Sequence, residues 1–378
     1  MADTVAFRLL VDDDVDAAAG LAVDEALMAG CARDADPPRP TLRLYTYRSH
    51  SALVGRYQSL AGELDLDRCR ETGTGVGRRP TGGGAIVMGR DQLGVALIVP
   101  APPRPPRQLL RELSAGVLAG LAGLGVPAEF GGKNDLLVNG RKIAGLGMYT
   151  DGSGAVLFHA SVLADLDIDF MLQVLNIPAA KLARHGASAV AQRVTTVTRE
   201  TGQRHSGAGI RSAIADGFTE TLGVRLERGE LTSAETAEAE RLIHTRYADP
   251  EWLYPKAAAP DGTGTARFRS PDGPVRVFVA AQGSLIKSVL FTGDFTAPPD
   301  ALTRLESTLR WQRLDPAAVE RAVRESTGGT GTDGWHSPAE VVTAVLTAGA
   351  RALEHATAHP HRATGSCYFP DTPSRDAE

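Results

Sequence analysis

Asn139-Gly140 lies between two short apolar runs, Leu136-Leu137-Val138 and Ile143-Ala144. Asn-Gly favours a two-residue turn in which both residues take positive φ, which suits the twist of paired strands. The dipeptide therefore folds this stretch into a tight hairpin. Arg141 to Gly145 is the return strand. Alternation places Lys142 and Ala144 on one face, with Arg141 and Ile143 on the other. A lysine beside alanine and glycine leaves room for a ligand next to an amine. A solvated hairpin lysine is the plainer reading of the same residues.

The second constraint is Arg78-Arg79-Pro80-Thr81-Gly82-Gly83-Gly84-Ala85-Ile86. Three glycines permit positive φ and a close backbone approach to a ligand. Successive glycine N–H groups can cup an anion, and arginine adds a permanently charged fork that fits carboxylate or phosphate. The apolar run Ala85 to Met88 follows as a short strand, so the stretch reads as a ligand loop held at a sheet edge. A hairpin turn carrying two surface arginines fits it too. No Gly-Lys-Ser/Thr follows, as a P-loop requires, and no G-x-G-x-x-G opens a helix.

Around these two features strands and helices alternate irregularly. Thr41 to Tyr47 alternates with period two, which predicts a half-buried strand. Ala52 to Gly55, Leu93 to Val99 and Ala155 to Leu163 read as further strands, and Val190 to Thr198 as a last piece of sheet. Asp12-Asp13-Asp14 leads into a helix over Ala17 to Met28. Helices are also expected over Leu64 to Glu71, Arg107 to Leu124, Ile210 to Leu222 and Ser233 to Tyr247. Gly116, Gly120 and Gly123 run against the second of these. An Ala/Pro/Gly-rich linker over 257–264 separates residues 1–256 from a small α+β domain at 265–357, and 358–378 reads as a mobile polar tail.

The net charge of −5 opposes a general affinity for nucleic acid. No basic-then-apolar leader opens the chain, and no run is apolar enough to span a membrane, so a cytoplasmic location is expected. Cys31, Cys69 and Cys367 are few, odd in number and far apart, which suits neither a disulfide framework nor a zinc site.

In their order and spacing these motifs resemble the lipoate–protein ligase A family over most of the chain. Val54-Gly55-Arg56-Tyr57-Gln58 is similar to the end of its first strands, and Arg78-Arg79-x-Thr81-Gly82-Gly83-Gly84-Ala85 to its lipoate loop. Asn134-Asp135-Leu136 with Arg141-Lys142-Ile143-Ala144-Gly145 resembles its nucleotide and carboxylate site, and Phe158-His159-Ala160-Ser161 the next strand. Tyr247 to Trp252 resembles the connection into its accessory domain. The resemblance implies an α+β fold shared with biotin ligases and class II synthetases: a mixed, mainly antiparallel sheet flanked by helices, with a C-terminal accessory domain. It implies that the 1–256 domain binds lipoate and ATP, with Mg²⁺ on the phosphates. The acid is activated as an acyl adenylate and passed to a lysine of a lipoyl domain, from a 2-oxoacid dehydrogenase complex or the glycine cleavage H protein. Lys142 would be the catalytic cation. Arg78, Thr81, Gly82, Gly83, Gly84, Ala85, Lys133, Asn134, Asp135, Gly145, His159 and Ser161 would bind substrate and nucleotide, with Asp135 also meeting the metal.

The chain departs from the family pattern at Met88, where many relatives carry histidine, and at Lys133, where arginine is common. Leu146-Gly147-Met148 and Ala160-Ser161 also depart, at positions that would reshape the acyl pocket. An octanoyltransferase of the same fold, fed by acyl carrier protein without ATP, is the nearest rival. One version of that chemistry needs a thiol just before the Asn-Asp strand, and Val126 to Asp135 holds none; another uses a cysteine and a lysine later in the fold, for which Cys367 in the tail is a poor candidate. A non-catalytic lipoate binder is the third reading.

Overall fold

The computed structural model describes residues 5–32, 35–58, 60–131, 134–175, 192–254, 264–271, 273–293, 295, 301–326 and 337–358. Lys133, most of the expected linker, Asp294, and the tail from 359 with Cys367 lie outside them. The chain divides into two compact units, Met1–Pro255 and Lys256–Glu378.

The first unit is built on an eight-stranded sheet. Its strands are β1 (Ala6–Val15), β2 (Thr41–Tyr47), β6 (Gln92–Pro100), β7 (Glu129–Gly131), β8 (Asp135–Val138), β9 (Arg141–Tyr149), β10 (Ala155–Leu163) and β11 (Arg225–Arg228). Their order is β11-β1-β2-β6-β10-β9-β8-β7. The β11–β1 and β1–β2 pairs are parallel and the rest antiparallel, which is the mixed, mainly antiparallel sheet expected. A second sheet has β3 (Ser51–Val54) between β4 (Gly75–Arg78) and β5 (Ile86–Met88). The glycine stretch joins the two outer strands of this small sheet.

Helices cover both faces of the large sheet. On one, Pro106–Gly123 and Gly207–Leu222 cross over a core that includes Leu97, Leu121, Phe158 and Ile214. Two of the three glycines that ran against the first helix are explained here, while Gly123 faces open space. A Cβ on Gly116 would stand 2.3 Å from the Phe218 ring, and one on Gly120 2.6 Å from the Ile214 Cα. Tight packing of the two backbones outweighs the helix propensity lost at each glycine, about 1 kcal/mol. The other face carries Ala17–Ala26 and a core with Leu27, Tyr47 and Ile98. The helix Ser233–Leu242 packs against Ala17–Ala26.

Several local expectations change. Asp12 to Asp14 belongs to β1, and the helix cap is Asp16, whose carboxylate accepts from the Ala19 N–H at 2.8 Å. β2 is buried along nearly its whole length instead of on one face. Arg43, 1% exposed, survives there because it meets Asp24 at 2.7 Å and Asp12 at 2.5 Å, while Tyr45 donates to Asp24 at 2.8 Å. Of the expected strand at 190–198, Val194 makes only an isolated bridge to Lys142, and Val197–Thr201 is helical.

The second unit holds the meander β12 (Gly264–Arg269), β13 (Pro274–Gln282) and β14 (Leu285–Gly293) with helices Ala301–Leu309, Pro316–Ser326 and Pro338–Ala358. Val275, Val277, Val279 and Phe291 form its apolar centre. Among the described residues no helix is long and apolar enough to cross a membrane.

Candidate active site

The hairpin turn forms as its residues dictate: Asn139 has φ 50° and Gly140 φ 75°. The return strand carries a surprise. Leu136 pairs with Ala144 but Leu137 with Lys142, so a bulge places Ile143 outside the alternation. Ile143 and Ala144 both enter the core. The expected sharing of a face by Lys142 and Ala144 is therefore corrected. The bulge turns Lys142 onto the face of Gly145 and Gly147, where its Nζ lies 3.0 Å from the point a Gly145 Cβ would occupy. Ser161 Oγ is 3.3 Å from that same point.

Cross-strand register lines up the rest. Asp135, Gly145, Ser161 and Gly94 form one row across β8, β9, β10 and β6. Gly147, His159 and Ala96 form the next, about 7 Å along the strands. Gly145 and Gly147, both partly exposed, thus make a shallow trough with an ammonium at one end and an imidazole over the other, while the Tyr45 ring fills the space beside Gly94, 2.6 Å from where a Cβ would stand. The His159 ring occupies the space beside Gly147, whose Cβ would fall 2.1 Å from Nε2.

Lys142 Nζ is 2.7 Å from Asp135 Oδ1, each side chain about one-third exposed at 34%. The contact is close but poorly aimed, and Oδ1 has no hydrogen-bond partner. The lysine's backbone is fixed from behind: its N–H donates to the Arg193 carbonyl and its carbonyl accepts from Thr195, both at 2.8 Å.

The glycine loop reaches the trough through Thr81, whose Oγ1 is 3.2 Å from His159 Nε2. Gly83 takes φ 95° and its carbonyl packs on Gly55, where a Cβ would stand 2.1 Å away. Arg79 donates to the carbonyls of Gly82 at 3.3 Å and Gly84 at 2.8 Å. In a trans peptide the next N–H points the opposite way. The N–H groups of Gly83 and Ala85 are accordingly aimed away from Arg79.

Two expected ligand residues are engaged elsewhere. Arg78 is 2% exposed, and its guanidinium donates to the carbonyls of Gly55, Arg56, Gln58, Trp252 and Leu253 at 2.6–3.1 Å. It braces the loop's root through backbone carbonyls. Burial, with help from the neighbouring Arg56 charge, pushes its pKa down to about 10. Asn134 Nδ2 donates to the Leu146 carbonyl at 3.1 Å, extending the strand pairing. Sequence reasoning missed Arg79 as the loop's brace, and Gly55 and Gly147 as the residues that let the loop and the imidazole approach. Only the positions of these glycines beside motif residues hinted at it.

Burial, and then the Arg79 charge, pushes the His159 pKa from 6.5 down to about 3. The folded imidazole is neutral at physiological pH. The unfolded chain binds the extra proton between those two values, so this contribution to stability is complete above pH 6.5 and falls as pH drops toward 3. A His159→Gln variant is expected to show a flatter decline of urea midpoint between about pH 6.5 and 4 than the wild type. Parallel declines in the two proteins would contradict it.

A profile described as the Lipoyl protein ligase A/B catalytic domain matches residues 16–219, more than half of the chain. The chain belongs to this family. Octanoyltransferase LipM of Symbiobacterium thermophilum is 32% identical over 256 residues, covering 61% of this chain and 92% of that one. LipM of Kyrpidia tusciae is 31% identical, covering 66% and 99%. Among solved structures, a bipartite lipoate protein ligase from Thermoplasma acidophilum superposes with a TM-score of 0.60 at 28% identity, covering 66% of this chain and 96% of that one. LipL1 of P. falciparum, in complex with lipoate, is 16% identical with a TM-score of 0.67 and shares the fold over 85% of this chain and 94% of its own. In the terms of the ligase A/B family, the loop at 78–86 and the strands β8–β10 fall inside the matched domain.

Proposed function

We propose that this chain activates lipoate or a similar fatty acid with ATP and transfers the acyl group to a lysine of a lipoyl domain. The observation that carries this reading is the Lys142 ammonium, turned by the bulge onto a glycine trough beside Ser161, with no thiol among the described residues there. Cys31 is buried beneath the sheet, its Sγ 3.7 Å from the Ile98 carbonyl, and Cys69 is buried in a cluster with Ala52 and Val54. Desolvation raises the pKa of both, Cys31 to about 11, which suppresses the thiolate a nucleophile needs.

In the first step the acid's carboxylate attacks the α-phosphate of ATP and pyrophosphate leaves. In the second the acceptor amine attacks the acyl carbonyl and AMP leaves. Both transition states concentrate anionic oxygen, which a fixed ammonium and the N–H groups of the glycine loop are suited to stabilise. The trough along Gly145 and Gly147 would take the acyl chain. Asp135 could give one oxygen to a Mg²⁺ held mainly by the nucleotide's phosphates. Among the described residues no group of three acidic, histidine or cysteine side chains could hold a metal alone.

The second unit gives further support. The LipM match spans 256 residues, about the length of the first unit, and nearly all of that relative. The added α+β unit fits the accessory domain of an adenylating ligase. A carrier-protein-dependent octanoyltransferase is the second reading, favoured by the names of the curated relatives.

ATP–pyrophosphate exchange separates the two. Exchange that appears only when lipoate or octanoate is added is the expected result. Octanoyl transfer from acyl carrier protein without ATP, and no exchange, would replace the ligase reading with the transferase.

A further inference from the structure

We infer that Trp252 is a positioning residue for the glycine loop and acts through Arg78. The inference rests on the proposed use of that loop for an acyl substrate. Trp252 and Arg78 are 174 residues apart in sequence and hold each other twice. The Trp252 indole N–H donates to the Arg78 carbonyl at 3.0 Å, and Arg78 Nε donates to the Trp252 carbonyl at 2.8 Å. Arg78 Nη2 adds the Leu253 carbonyl at 2.9 Å. This reciprocal clasp joins the last short helix of the first unit, Pro250–Leu253, to the end of β4.

Two further arginines reinforce the clasp. The guanidinium of Arg246 lies 4.3 Å from the Trp252 ring centroid and that of Arg56 5.0 Å, so the indole packs against two cations. Arg246 is held in turn by Glu25 on the helix Ala17–Ala26. Arg56 bonds the loop directly, its backbone N–H donating to the Thr81 carbonyl at 2.9 Å. Trp252 therefore touches both residues from which the loop is suspended.

The consequence runs along the backbone. Arg79 follows Arg78 and orients the peptides of Gly82 and Gly84 by donating to their carbonyls. A shift of Arg78 moves Arg79 and turns the N–H groups of Gly83 and Ala85 off their present aim. Trp252 lies three residues before Pro255, where the first unit ends. The posture of the substrate loop is thus tied to the segment by which the chain leaves that unit.

The test uses Trp252→Phe, which keeps an aromatic ring beside the two arginines and removes the N–H, and Trp252→Ala, which removes both. Amide hydrogen exchange across Arg79–Ile86 is expected to rise about fivefold in the first and further in the second. The dissociation constant for octanoate is expected to rise by a similar factor. Wild-type exchange in that segment and unchanged octanoate binding in Trp252→Phe would overturn the proposal, even if its melting temperature falls. Should Trp252→Ala fail to fold, Trp252→Phe decides alone. Absence of pyrophosphate exchange in the wild type would remove the ligase reading and leave these two readouts able to decide the clasp.

Discussion

Lys142→Ala is expected to leave a folded protein whose acyl transfer is slower by about a thousandfold. The size follows from where the amine sits. It lies over Gly145 beside Ser161, at the end of a trough with no other ammonium among the described lining residues. A positioned cation that meets charge developing in the transition state is worth about 3–4 kcal/mol. The ion pair with Asp135 is one-third exposed on both sides, so its loss changes stability by less than about 1 kcal/mol. Lys142→Arg is not expected to restore the rate, because a planar guanidinium spreads its charge and aims its donors differently from the single Nζ. Single-turnover transfer to a lipoyl domain, with circular dichroism to verify folding, measures both variants. Activity in Lys142→Ala within tenfold of wild type would remove the lysine from the mechanism.

Arg78→Ala is expected to be the most destabilising single change near the site, by about 4 kcal/mol. The guanidinium is 2% exposed and satisfies the carbonyls of five residues from two distant segments. Its removal takes the donor from the Arg56, Gln58, Trp252 and Leu253 carbonyls in a place that water reaches poorly, at about 1–3 kcal/mol for each one left unsatisfied, while the Gly55 carbonyl keeps the Gln58 N–H at 3.1 Å. Relaxation and water entry reduce the sum. In a unit of this size the loss corresponds to a melting temperature lower by roughly 10 °C. Arg78→Lys should recover only part of it, since an ammonium has three donors and the fork has five. A shift of under about 2 °C in Arg78→Ala would mean that the brace is not needed for stability.

These two residues also show where sequence reasoning reaches its limit. Both stood out on the page as cations beside glycine, and both were read as anion ligands. Lys142 reached the site by a route that alternation did not foresee. A period-two pattern assumes an unbroken ladder, and one extra residue reverses the face of everything before it. The bracing by Arg78 was not legible for a different reason. Its acceptors are backbone carbonyls, which every residue type carries, so no motif marks them. Arg43 makes the same point inside β2. An alternating strand with an arginine reads as half-exposed, and only the approach of Asp12 and Asp24 makes full burial tolerable.

What the sequence determined by itself is local. Asn139-Gly140 specified a turn with two positive φ angles, the apolar runs specified strands and helices, and the triple glycine specified a loop able to come close to another chain segment. These depend on the sterics of a few neighbouring residues, which the order of amino acids contains directly. The tertiary structure decided what each polar group faces. It alone put Trp252 on Arg78, His159 under Thr81, and Ser161 beside Lys142. Partners far apart in sequence meet only when packing fixes their distance, and a charge takes its role from what it meets there.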